Sequence, residues 1–152
     1  MTLKLGHIKY DLVPAKEETI FRTPNLYIPN KGGDWQQTDP NDVKTKLTEA
    51  NTKYNSIIRP IIRLMKGWNA SKGYPYDSYE LELFLTSLNF YGDDVQKGFF
   101  YAVGQLSTNW NDPQTKKDKV TSLKYNIDQV KTCLENNDQA KAKQWLHRVL
   151  PE

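Results

Sequence analysis

The apolar residues of this chain change period once, and the change falls at Pro40. Before it, Leu3 and Leu5 alternate with Lys4, and Ile8, Tyr10 and Leu12 alternate with Lys9 and Asp11. A period of two belongs to a strand. After it, apolar residues recur every three or four positions, as in Ile57, Ile58, Ile61, Ile62, Met65 and Trp68, and that is the stripe of an amphipathic helix. The pattern predicts one strand over residues 3–13, with Gly6 as a bulge and Pro14 as its end, and a second short strand over 25–29. The run IPNKGGDWQQTDP up to Pro40, rich in Gly, Pro, Asn and Asp, reads as loop. Helices follow near 40–54, 56–70, 77–90, 94–109 and 114–149, the last broken near 137. Thr38 or Asp39 can cap the first, with Pro40 in its first position. Pro60 falls in the first turn of the second or kinks it. Trp68, Phe84, Leu88, Phe100, Val103 and Trp145 occupy the stripes and are expected in the core. The fold class is mainly α with one or two N-terminal β-strands, and the chain divides at 1–37 and 38–152. A single strand cannot satisfy its own backbone groups, so either these strands pair with each other or their sheet neighbours are missing. An exposed strand over residues 3–13 is also a template for edge pairing, so self-association is expected.

Composition removes several classes of function. The 152 residues, 38% hydrophobic and 26% charged, suit one globular domain's worth of core. A mean hydropathy of -0.75, with no long uncharged apolar run, excludes a transmembrane helix. The opening MTLKLGHIKYDLVPA has no apolar stretch followed by a small-residue cleavage site, so no signal peptide is expected. One cysteine, Cys133, rules out an internal disulfide and a CxxC zinc site, and His7 and His147 stand far apart. A reduced, cytoplasmic setting is the simplest reading. The formal net charge of +3 is too mild to imply binding to duplex DNA.

Three groups of residues could carry chemistry. Asp11 lies within an apolar strand; it is either solvent-facing or, with further acids nearby, a ligand for Mg²⁺. Arg59, Arg63 and Lys66 fall at i, i+4 and i+7 and share one helix face, which is either solvated or a phosphate-binding surface. Ser78 and Tyr79 open a helix, where free N–H groups and the dipole attract anions. There Ser78 could donate to a phosphate and Tyr79 could stack on a base. The plainer alternative has Asp77 or Ser78 capping the helix and Tyr79 packed in the core, with Glu80 completing a capping-box-like start.

Taken in order, these pieces resemble a known family. Asp11 to Ala15 (DLVPA), Ile28 to Pro40 (IPN…W…TDP), Ile62 to Asn69 (IRLMKGWN), Ser78 to Glu82 (SYELE), the Asp112-Pro113 turn and Ala142 to Pro151 (AKQWLHRVLP) resemble the C-terminal portion of bacterial cyclic-oligonucleotide synthases. These CD-NTases are relatives of oligoadenylate synthase and cyclic GMP-AMP synthase among the polymerase-beta-like nucleotidyltransferases. The resemblance covers nearly the whole chain and implies that it is the helical C-terminal lobe of such an enzyme, with a remnant of the catalytic sheet in residues 1–37. It implies that Asp11 is the third carboxylate of a metal-binding triad, and that Lys66 contacts the nucleotide triphosphate with Arg63 assisting. By the same resemblance Ser78 also contacts the triphosphate, and Tyr79 stacks on the base.

The departure from the family is large. Its members hold the triphosphate with a Gly-Ser loop and bind Mg²⁺ or Mn²⁺ with a D-x-D pair on a neighbouring strand. The ten residues before Asp11 contain neither a Gly-Ser pair nor an acid. Without two of three carboxylates, metal-assisted attack on the α-phosphate should not run. The expectation is therefore a fragment, split-gene product or remnant of an enzyme that joins NTPs into a cyclic or linear oligonucleotide signal of the antiphage kind. Alone, it should be inactive, bind NTP weakly and hold no metal. Its partner could be a separate chain carrying the missing catalytic half. The competing reading is a non-catalytic helical module that binds a nucleotide or a protein.

Overall fold

A computed structural model describes residues 2–5, 8–11, 14–20, 23–29, 33–38 and 40–150. The chain divides into two compact units, residues 1–45 and 46–152.

The first unit is built of antiparallel strands. β1 (Thr2–Leu5) pairs with β2 (Ile8–Asp11), Thr2 opposite Asp11 and Leu5 opposite Ile8. The single strand expected over residues 3–13 is therefore a hairpin. The alternation changes phase between Leu5 and Ile8, and a bulge and a chain reversal both produce such a slip. Gly6, proposed as a bulge, and His7, Leu12 and Val13 lie outside the described residues. β3 (Lys16–Ile20), β4 (Thr23–Pro29) and β5 (Trp35–Thr38) form a separate sheet in the order β3-β4-β5. β4 is the short strand expected over 25–29, and its two prolines fall near its ends, where a lost N–H matters least. The loop expected up to Pro40 is corrected in part, because Trp35–Thr38 pairs with Leu26–Pro29. Both outer strands are mostly polar (KEETI and WQQT), so neither shows the alternation that betrays a half-buried strand; the charges of KEETI also resist stray pairing. Gln37 Nε2 donates to Asn25 Oδ1 across β4 and β5 at 2.8 Å.

α1 (Pro40–Lys53) starts with proline in its first position, as expected. Thr38, one of the two caps considered, is the last residue of β5, and Asp39 lies outside the described residues. The helix stops at Asn55 and Ser56, both left-handed with φ of 49° and 63°, and Ser56 N–H returns to Asn51 O at 2.7 Å.

The second unit is organised around α2 (Ile58–Ser71), whose Ile58, Ile61, Ile62, Met65, Trp68 and Asn69 are buried. No side chain of its own caps this helix. Instead the buried Asn51 of α1 accepts from Arg59 N–H at 3.1 Å, and Pro60, in the first turn, has no N–H to satisfy. α3 (Ser78–Ser87), α4 (Val95–Gln105), α5 (Gln114–Glu135) and α6 (Gln139–Val149) complete the bundle. One apolar cluster joins α2 to Leu81, Leu85, Phe99, Ala102, Val103, Val120, Leu123, Ile127 and Val149. α4 crosses α2 closely: a Cβ on Gly98 would stand 2.6 Å from Ile61 Cδ1, so any larger residue there would have to displace the buried Ile61 side chain. The expected break near residue 137 is present, with Asn137 at φ 57° and Asp138 capping α6 through Lys141 N–H. The mainly α class holds, with more β structure than one or two strands. Trp68 and Val103 are core as expected, and Phe84, Leu88 and Phe100 pack half-buried against it. Trp145 stands outside this cluster. It meets Tyr125 edge-on at 5.9 Å and carries the Arg148 guanidinium 4.1 Å over its ring, an amphipathic surface arrangement rather than a core one.

Candidate functional site

Four of the five residues to which the resemblance gives a role stand on two neighbouring helices of the second unit. The way those helices are joined decides what they can do. α2 ends at Ser71, and Gly73 (φ 70°) and Tyr74 (φ 56°) turn the chain out of the helix. Asn69, with 0% of its surface exposed, then fastens the connection. Its Oδ1 accepts from Tyr76 N–H at 3.0 Å and its Nδ2 donates to Tyr76 O at 2.9 Å. One primary amide thus satisfies both backbone groups of a residue seven positions later. The Tyr76 ring packs on Trp68, its hydroxyl donates to Ser107 O at 2.7 Å, and Lys116 Nζ lies 4.4 Å over it. Burial, and to a lesser degree the negative charge of Asp112, push the Tyr76 phenol up to about 12. With Tyr76 fixed, the next residue begins α3. Asp77 caps it, accepting from Tyr79 N–H at 2.9 Å and Glu80 N–H at 3.2 Å.

That cap settles one open point. The N–H groups expected to be free for an anion are partly engaged, because Asp77 takes two of them. Capping by Asp77, one of the readings considered, is what the chain adopts. The accompanying placement of Tyr79 in the core is not adopted, since 46% of Tyr79 is exposed. Its ring therefore lies open beside the start of α3. Ser78 is the first residue of α3 and half-buried.

Lys66 is neither a free surface lysine nor a buried one. Its Nζ donates to Glu82 Oε2 of α3 in a charge-assisted hydrogen bond. Glu82 follows Ser78 by four residues, so the two lie on one face of α3 a turn apart, about 6 Å along the axis. Lys66 is thereby brought to the same stretch of α3 as Ser78. Arg63, three residues earlier on α2, is exposed, and Arg59 donates from Nη2 to Thr48 Oγ1 at 3.3 Å. Of the three cations on this face, Arg59 and Lys66 are engaged with α1 and α3, and Arg63 makes no ion pair among the described residues. Asp11, the fifth residue, ends β2 in the first unit, opposite Thr2.

Two residues in this arrangement escaped the sequence reading. Asn69 was quoted only as the end of a motif; a polar residue directly after a stripe tryptophan is the signal that could have flagged it. Glu82 stood in SYELE without a role, because its partner is sixteen residues away and becomes visible only once α2 and α3 are paired.

The described residues do not assemble a site for the metal that the family resemblance implies. Among the described residues no three His, Cys, Asp or Glu side chains stand together as metal ligands. No metal-assisted step is therefore assigned to this chain. No helix among the described residues is long and apolar enough to cross a membrane.

No family model matches the chain. It is 28% identical over 145 residues to a protein of Bacillus cereus (strain VD146) named a probable cyclic nucleotide synthase, an alignment covering 86% of this chain and 44% of that protein. The chain thus spans less than half the length of this relative.

Proposed function

We propose that this chain is the helical, nucleotide-holding half of a nucleotidyltransferase of the cyclic-oligonucleotide-synthase kind. The observation that carries the reading is the similarity to a probable cyclic nucleotide synthase along 86% of the chain. The geometry supports it in one respect: pairing of α2 with α3 brings Lys66 to the face of α3 that begins at Ser78. In the working enzyme a ribose hydroxyl would attack the α-phosphate of an NTP and pyrophosphate would leave, building a cyclic or linear oligonucleotide signal in the cytoplasm, of the antiphage kind. Mg²⁺ or Mn²⁺ would supply charge neutralisation at the α-phosphate. Of this chain's residues, Asp11 would contribute one carboxylate to the metal. Lys66, Arg63 and Ser78 would hold the triphosphate, and Tyr79 would offer its exposed ring to the base. The Gly-Ser loop and two further carboxylates would come from polypeptide outside these 152 residues, including a separate partner chain.

The test has two arms. Labelled NTPs with Mg²⁺ or Mn²⁺ should give no product with this chain alone. NMR titration with ATP should move resonances of residues 63–80 weakly, with a dissociation constant on the order of a millimolar. Lys66→Ala and Ser78→Ala should reduce those shifts, and salt should weaken binding further. Shifts unaltered by Lys66→Ala would sink the triphosphate reading. A second reading, a non-catalytic module that binds a nucleotide or a protein, is favoured by the lack of three assembled metal ligands among the described residues. Failure to make product when polypeptide carrying the Gly-Ser and D-x-D segment is added would select it.

A further inference from the structure

Resting on the triphosphate reading of Lys66 and Ser78, we infer that Glu82 is a specificity-determining residue that limits how much negative charge the site accepts. The carboxylate is the deeper member of its ion pair: the Glu82 side chain is 19% exposed against 38% for Lys66. It also stands on the face of α3 that Ser78 begins, one turn along. A phosphate that reaches both Ser78 and the Lys66 ammonium therefore passes a like charge that water only partly screens.

The ammonium has three donors but one position. In the ligand-free chain it is satisfied by Glu82, and the pair is close to neutral as a unit. A ligand that shares the ammonium stands beside that carboxylate, and one that displaces it leaves a largely covered carboxylate, which is costly until it turns to solvent. A monophosphate brings little more charge than the group it replaces. A triphosphate brings several charges, and its further oxygens can reach Ser78 and the exposed guanidinium of Arg63. Those charges also meet the Glu82 carboxylate, whose opposition grows with each of them, which makes Glu82 a filter on phosphate number.

Binding of ATP, ADP and AMP in metal-free buffer tests this, using the full chain, Glu82→Gln, Lys66→Ala and the double variant. Glu82→Gln should tighten ATP binding about tenfold and AMP binding less, widening the ratio between ATP and AMP. The gain should vanish in the double variant, since it acts through Lys66. Glu82→Met provides the same neutralisation should the glutamine variant fold poorly, and circular dichroism checks both. ATP binding in the neutralised variants that is unchanged or weaker overturns the filter, even where Lys66→Ala weakens the unmodified chain and so upholds the triphosphate site. Absence of any Lys66-dependent binding overturns the site itself, and the filter with it.

Discussion

The two units of this chain are ordered by different means. In residues 46–152 the helices surround Met65, Trp68, Leu85 and Ala102, all sealed from solvent, and that burial drives their association. In residues 1–45 the described order is a set of hydrogen-bonded ladders between short strands. None of the side chains described from Pro14 to Gln37 is buried; Asn25 to Ile28 are half-covered and Trp35 is 49% exposed. Ladders without a packed face are marginal by themselves. Side-chain identity should therefore matter greatly in one unit and little in the other.

The largest effect that could break this comparison comes from matched tryptophans. Trp68→Ala should cost about 3–5 kcal/mol in urea unfolding, because it empties a filled site in the helical core. Trp35→Ala should stay within about 0.5 kcal/mol, as surface changes do. Comparable losses for both would show that residues 1–45 carry a core of their own.

A smaller loss sharpens the comparison within the helical unit. Asn69→Ala leaves the N–H and C=O of Tyr76 without their partner, at a cost of about 1–3 kcal/mol. Hydrogen exchange at Tyr76 should speed up while exchange in the middle of α5 stays slow. An unchanged Tyr76 amide would mean that the connection holds its shape without the clamp.

The smallest effects concern pH. Tyr76 should be the late-titrating phenol in a spectrophotometric titration, near 12 rather than the ordinary 10.0. Its folded value is raised, so its contribution to stability is complete below the ordinary tyrosine value and is lost as pH rises towards 12. Asp112 moves the other way. The Asn109 N–H and then the Lys116 ammonium hold its carboxyl below the ordinary 3.8. Its contribution is complete above that value and disappears as pH falls through the lowered one. The Asn109 amide shift should report this; a midpoint at or above 3.8 would contradict it.

The helical unit was largely legible because its signals are local. The stripe from Ile57 to Trp68, the cap at Asp77 and the break near Asn137 are each written within a few neighbouring residues. The strands were less legible. KEETI and WQQT form edges with polar side chains on both faces, so pairing with β4 defines them and periodicity does not. In the candidate site, the positions of Lys66 and Ser78 along their helices were readable. Their surroundings were not: the Glu82 carboxylate on Lys66 and the clamp at Asn69 depend on contacts between elements. Tyr79 shows the same limit, since the sequence left it either packed in the core or open to a base, and only tertiary packing leaves it exposed.

The clamp at Asn69 bears on which changes of length the chain tolerates. Connections between helices are ordinarily where insertions and deletions accumulate. Here the six residues between Asn69 and Tyr76 are bound to a fixed count, because adding one would pull Tyr76 off the amide, or else pull Asp77 off the start of α3. The amide is equally selective in kind: an aspartate could accept but not donate, and a serine is too short to span both groups. A surface turn of ordinary appearance is therefore as constrained in spelling as the core beneath it.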